Sequence, residues 1–425
     1  MNYLIIVAKA VFIWAVALSL LPLLIWLERK GSAFIQDRVG PNRASILGFR
    51  LGGFLHNIAD VVKLMVKELM VPADVNRFYV LLAPFIGFTL ILASFPVIPF
   101  ADDLRIGGLR IPMQVADLNV GILYVLALTS LNIYGIVLAG WSSNNKFALL
   151  GALRSSAQMI SYEIPLGLSI VGVFMVFGSA QLGAIVRGQE ELLFGFLPRW
   201  GVFVQPLGFL IFLAAAFAET NRIPFDLPEG ESEIVAGYHV EYSGIRFALF
   251  YMGEYVAIVL SAALITTLFF GGWQVPYLPT SVLVEHSQTV LRVMLISGFG
   301  MSLAAGALFM LYDRHLRGTW SDRRDMEGSM LAVMSLVMSL VIVALIYRCW
   351  NVDMPEWGGR VLAALVQFSA FMLKVLFFSW FFIWVRWTLP RFRYDQLMRF
   401  GWKSLIPLSF ANILATGLII LLVGG

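Results

Sequence analysis

Apolar runs dominate the chain and recur at lengths that match a lipid bilayer. Ten can be marked, at 3–27, 78–100, 118–140, 147–178, 201–218, 246–270, 288–311, 329–348, 361–386 and 403–423. A helix of about 20 apolar residues spans the hydrocarbon core. The pattern therefore predicts an all-α polytopic membrane protein with about ten transmembrane helices. One stretch breaks the rule. After Gly52-Gly53, the residues 54–70 place His56, Asp60, Lys63 and Lys67 on one helical face. Leu55, Ile58, Val62, Met65, Val66 and Leu69 fall largely on the others. This predicts an amphipathic interfacial helix lying along the membrane surface or against the other helices. In the seventh run Gly298, Ser302 and Gly306 recur every four residues, and the eighth adds Ser335 and Ser339. Small residues at that spacing let helices approach closely.

Charge then sets orientation. The segments 28–77, 141–157, 218–246, 312–328 and 386–403 hold 21 Lys and Arg, against 6 in the alternate segments. Positive residues stay on the cytoplasmic side, or its matrix or stromal equivalent. Ten crossings then put both termini on the opposite, periplasmic side. The N-terminal run is too long for a signal-peptide core and is expected to stay as the first helix. The composition, 60% hydrophobic and 13% charged in 425 residues, agrees with a membrane protein. The net charge of +4 is spread over short loops and does not point to nucleic acid. The single cysteine, Cys349, excludes a disulfide within the chain.

The polar segment 218–246, AETNRIPFDLPEGESEIVAGYHVEYSGIR, lies between two membrane runs on the inner side. It carries Glu219, Asp226, Glu229, Glu231, Glu233 and Glu241 against Arg222 and Arg246. Acids held at a bilayer boundary are costly and so mark a functional site. Pro228 can start a short helix that puts Glu229 and Glu233 on one face, where like charges raise each other's pKa. Apolar Ile223, Phe225 and Leu227 interleave with the acids, which suits a cavity wall better than a solvated loop. Two further acids lie inside runs, Glu163 before Pro165 and Glu254. Each is either a proton-carrying group or a buried structural one. Lys374, also inside a run, is either a counter-ion to such an acid or a residue facing a neighbouring subunit. Histidines at 56, 239, 286 and 315 are scattered, and there is no CxxC, Walker or dinucleotide motif. The chain is expected to hold no redox centre, nucleotide or metal, so any electron-transfer role needs partners.

Four stretches together carry a resemblance: Glu28-Arg29-Lys30 with QDRVGPNR (36–43), Glu163-Ile164-Pro165, the loop 218–244, and WVRWTLPRFRYDQLMRFGWK (384–403). They are similar to the subunit 1 family of the proton-pumping NADH:quinone oxidoreductase, respiratory complex I. The resemblance implies an eight-helix core at the junction with the hydrophilic arm. It divides the chain into core helices at 1–275 and 361–425 and an inserted two-helix segment at 276–360. It implies a subunit that forms part of a quinone chamber and the first proton path, and so couples quinone reduction to proton translocation. Carried over by position, Glu163, Glu219, Glu229, Glu231, Glu233 and Glu254 are the acids of that path. Arg29, Arg38, Arg43, Lys63, Phe225 and Asp226 lie at the quinone chamber or its entrance. Quinone is the implied substrate. NADH, FMN and iron–sulfur clusters belong to partner subunits of the membrane arm and of the hydrophilic quinone module, and this chain alone has no complete active site. The insert would meet an adjacent membrane subunit, lipid or a further partner. A bacterial plasma (inner) membrane is the expected location. Two rivals are a related membrane-bound hydrogenase or ferredoxin-linked complex, and a secondary transporter. The transporter predicts internal repeats, which the sequence does not display.

Overall fold

The computed structural model describes residues 3–72, 75–227, 235–316, 323–350 and 354–424. In chain order its helices begin with α1 (Tyr3–Ile35), α2 (His56–Val66), α3 (Arg77–Ser94), α4 (Gly121–Ser142) and α5 (Lys146–Phe177). Next come α6 (Leu182–Gly188), α7 (Gly201–Val204), α8 (Pro206–Glu219), α9 (Gly244–Phe269) and α10 (Thr280–Glu285). The last are α11 (Ser287–Leu316), α12 (Glu327–Cys349), α13 (Glu356–Thr388), α14 (Tyr394–Phe400) and α15 (Ile406–Gly424). A π turn, Gly401–Leu405, joins α14 to α15. Two small antiparallel hairpins pair β1 (Leu104–Ile106) with β2 (Leu109–Ile111), and β3 (Leu192–Leu193) with β4 (Leu197–Pro198).

The chain is an all-α polytopic membrane protein. Nine helical segments among the described residues are long and apolar enough to cross a membrane. The expected span at 201–218 is the exception. It is split into α7 and α8, and α8 has only 14 residues. Pro206 is the cause. It lacks an N–H and disfavours helical geometry at the residue before it, and Gln205 sits at φ −132°, ψ 58°. The freed polar side chain is used. Gln205 donates to Thr416 Oγ1 at 2.8 Å and accepts from Asn412 Nδ2 at 3.0 Å, which ties the break to α15.

The helix α9 is the centre of the bundle. Of its apolar window 72% is buried, whereas none of α11's is. Its buried side chains, among them Tyr255, Val256, Ile265 and Phe269, belong to the main core with α1, α5, α8 and α13. Glycines bring backbones together where the loops must be held. A side chain at Gly151 of α5 would meet Gly237 Cα at 2.6 Å, so α5 packs directly on the Gly237–His239 turn.

The loops sort into two sets, as the charge count predicts. On one end Phe392 N donates to Pro224 O at 3.1 Å. There also Tyr162 donates to Leu397 O at 2.9 Å, and Asn145 donates to Glu241 at 2.8 Å. On the other end Arg187 pairs with Asp103 at 3.0 Å and Arg360 donates to Arg105 O at 2.6 Å. Lys374 also lies towards that second end. It donates to the carbonyls of Phe270, Gly272 and Gln274 at 2.8, 3.0 and 2.7 Å. Both expected roles for Lys374 give way to a third. It holds the turn that follows α9, at the helix end where the dipole favours a cation.

Helices α11 and α12 form a hairpin. Ser302 and Ser339 hydroxyls are 2.7 Å apart, and Ser335 donates to Ser302 O. The hairpin is fixed to the rest of the chain at Glu327, whose buried carboxylate binds Arg50 at 2.9 Å.

Candidate functional site

The site is built around an acid at the inner end of α1. Along α1 the buried residues are Lys9, Ile13, Ala17, Leu20, Leu21, Leu24, Glu28 and Ala33, and those from Lys9 to Glu28 form one stripe at helical spacing. The stripe faces α9 and ends in a carboxylate. Tyr255 of α9 donates to Glu28 Oε2 at 2.7 Å. Arg222 Nη1 lies 3.3 Å from the same oxygen, and Arg386 of α13 binds Oε1. On its other side Arg222 Nη2 stands 3.6 Å from Glu254 Oε2. The guanidinium also lies over the Tyr255 ring, 4.3 Å from its centroid, where the ring face attracts a cation. Two carboxylates and two guanidiniums thus balance in a buried network. Balance is what makes burial tolerable, since an unpaired ion there costs several kcal/mol.

Two cavities flank this network. The first is an apolar pocket of about 360 Å³ between α1, α2 and α9. Leu18, Leu21, Pro22, Ile25, Ile58, Val61 and Met252 line it, with Arg29 and Asp60 at its polar edge. Those two form an ion pair. Tyr251 is part of the lining, and its hydroxyl lies 3.1 Å from that of Tyr255. Glu28 is therefore two hydrogen bonds from an apolar cavity of a size that takes small molecules.

The second cavity measures about 40 Å³ and is lined by Gly87, Asn132, Glu219, Asn221, Tyr238 and Glu254 among others. That is room for about one water molecule among polar partners. Glu254 thus links the network to this cavity, and Glu219 stands on its far wall. Thr129 of α4 is within hydrogen-bond reach of Glu219, and the Glu163 charge is near enough to act on it. The Glu163 carboxylate in turn accepts from Ser130.

The loop after α8 is clamped. Gln158 of α5 donates to Ala218 O, Asn221 Oδ1 and Phe225 O at 2.8, 3.2 and 2.9 Å. Phe225 packs between Tyr162 and Phe392, with ring centroids 5.5 Å apart on both sides. Asp226 pairs with Arg391 at 2.8 Å. Asp226 and Phe225 hold the loop and do not line the apolar cavity. Of the other residues expected at a quinone chamber, Arg29 lines this cavity, while Arg38, Arg43 and Lys63 are exposed and lie outside its lining. Lys63 misses it because the α2 face turned to the cavity is the one carrying Asn57, Ile58 and Asp60. Among the acids, the structure brings Glu163, Glu219 and Glu254 together. Glu229, Glu231 and Glu233, with the short helix expected from Pro228, lie outside the described residues.

Five residues of the network, Glu28, Arg222, Tyr251, Tyr255 and Arg386, are absent from the sequence-based site. Glu28 reads as part of a membrane-end charge cluster beside Arg29 and Lys30. The one available signal was its position on the Ile13–Ala17–Leu24 spacing. That signal is weak in a helix whose residues are apolar all round.

Known proteins share this chain's sequence over nearly its whole length. A family model described as NADH dehydrogenase matches residues 7–322 and 328–417. In Bdellovibrio bacteriovorus, the NADH-quinone oxidoreductase subunit designated H is 37% identical over 434 residues, covering 97% of this chain and 95% of the relative. In Rhodothermus marinus, NADH-quinone oxidoreductase subunit 8 is 41% identical over 396 residues, covering 93% and 91%. In Solibacter usitatus, the NADH-quinone oxidoreductase subunit designated H 1 is 41% identical over 414 residues, covering 97% and 96%.

Proposed function

The chain belongs to the NADH dehydrogenase family, and from that premise we propose that it is a membrane subunit of a proton-pumping NADH:quinone oxidoreductase. In this reading it forms part of the quinone chamber and the first proton path beside it. One observation carries the reading: a row of polar and charged groups leads from an apolar cavity to a small acidic one and on to Glu163. The row runs from Tyr251 through Tyr255, Glu28 and Arg222 to Glu254, then across the small cavity to Glu219, Thr129, Ser130 and Glu163.

The apolar cavity suits the ring and tail of a quinone, with Arg29 and Asp60 at its polar edge. Partner subunits, carrying NADH, FMN and iron–sulfur clusters, deliver two electrons, and the reduced quinone then needs two protons. The change of charge in the chamber acts first on the group two hydrogen bonds away, Glu28. Arg222 is shared between Glu28 and Glu254, so a weaker claim by one carboxylate strengthens its hold on the other. Glu254 and Glu219 face the same small cavity, where a proton can pass through water. Glu229, Glu231 and Glu233 belong to the same acid path by position. The loop set containing 28–77 and 218–246 faces the cytoplasm and the hydrophilic arm. Both termini lie on the periplasmic side of a bacterial inner membrane, and residues 276–360 are an addition to an eight-helix core.

The test is quinone-reductase and proton-pumping rate in the assembled complex carrying Glu219→Gln or Glu163→Gln. A loss on the order of tenfold in either rate is expected. Wild-type rates for both variants, with full assembly, would overturn the proposal.

A further inference from the structure

We propose that the α11–α12 hairpin braces the wall of the apolar cavity, with Glu327 as the positioning residue. The functional half of this inference rests on the reading of that cavity given above. The Glu327 carboxylate sits in the first turn of α12 and is 1% exposed, and the Arg50 side chain that meets it is 0% exposed. The carboxylate does more than pair with a charge. Its Oε1 accepts from the backbone N–H of Arg50 at 2.8 Å and from that of Leu51, while Oε2 accepts from Arg50 Nε at 2.9 Å. Three donors on one buried carboxylate make a strong, directional anchor. Two of those donors are main-chain groups, so the carboxylate orders the backbone of the loop itself.

That loop leads straight to the cavity. Residues Leu51–Gly53 form a tight turn, and Gly52 O accepts from Trp26 Nε1 at 3.1 Å. Phe54 follows and lines the cavity, and α2 then adds Asn57, Ile58 and Asp60 to the lining. On the hairpin side the approach is close. A side chain at Gly48, where φ is +96°, would stand 3.0 Å from Arg323 O. The hairpin's serine bonds are internal to it. Glu327 is thus the carboxylate through which the hairpin sets where α2 begins.

Glu28, Tyr255, Arg222 and Arg386 lie on α1, α9, α13 and the clamped loop, none of which Glu327 touches. Loosening the brace therefore alters how the cavity receives its occupant and leaves the acid network in place. The experiment uses the assembled complex with Glu327→Gln, which keeps an acceptor and removes the charge, and Arg50→Lys, which keeps the charge and removes Nε. Hydrogen exchange over 48–55 is expected to rise on the order of tenfold. The apparent KM for a short-tailed quinone is expected to rise about threefold or more, with kcat within about twofold. Unchanged exchange in both variants overturns the proposal, and so does raised exchange with an unchanged KM. If Glu327→Gln fails to assemble, Arg50→Lys carries both readouts. A wild-type complex that turned over no quinone would instead remove the functional reading, and the exchange data would still test the brace.

Discussion

Helix α9 and the α11–α12 hairpin share a membrane but hold their polar groups in different ways. Around α9 the bundle links Glu28, Arg222, Glu254 and Arg386 in one ionic network, with Glu219 across the small cavity from Glu254. Midway along the hairpin the two helices are joined by hydroxyls, Ser302, Ser335 and Ser339, while towards its ends Arg292 donates to Trp350 O at 2.7 Å and Asp313 accepts from Ser329 N at 3.1 Å, each charge bonding to backbone. Hydroxyls can bind backbone and one another without a counter-ion, and serve as glue at small cost. Charges need partners, and losing one partner strands the other. A bundle needing only adhesion could use serines throughout. The centre differs in gathering several ions beside an apolar cavity and a small polar one.

That contrast can be attacked from its strongest point downward. Arg222→Met removes the cation shared by Glu28 and Glu254, leaving both carboxylates short of charge. The loss should exceed about 3 kcal/mol, seen as a collapse of turnover and a lower thermal midpoint of the assembled complex. Wild-type turnover would show that the ionic centre is mere packing. Tyr255→Phe keeps the ring beneath Arg222 but deletes the 2.7 Å bond to Glu28. A hydrogen bond to a charged group is worth about 2 kcal/mol, so turnover should fall on the order of tenfold while assembly is kept. A variant as active as wild type would cut the row between the apolar cavity and Glu28. At the small end, Ser302→Ala should cost about 0.6 kcal/mol of hairpin stability and leave quinone turnover unaltered. A larger fall in turnover than in Tyr255→Phe would erase the distinction between the two regions.

The limits of the sequence follow the same division. Glu163 and Glu254 were legible because an acid within an apolar run is expensive wherever it points, and Glu219 because it stands at a bilayer boundary; the structure does bring the three together. Phe225 and Asp226 were legible as special, but their use was not. Whether an apolar and acidic loop lines a cavity or is itself held in place depends on Gln158, Tyr162 and Arg391, which arrive from far along the chain. Lys374 shows the same limit, since its three carbonyl acceptors exist only where α9 ends.

Run length and hydrophobicity by themselves determined a polytopic helical membrane protein. The alternation of the runs determined which loops share an end, because run length and hydrophobicity are local along the chain. The broken span at Gln205-Pro206 was written locally too, in a proline that cannot continue a helix. Tertiary structure alone decided which face of α1 is buried, and so that Glu28 rather than a neighbour is the acid at the centre. A helix that is apolar all round carries no preference for one face. The partners that could rank its faces, Arg222, Tyr255 and Arg386, lie 194, 227 and 358 residues away.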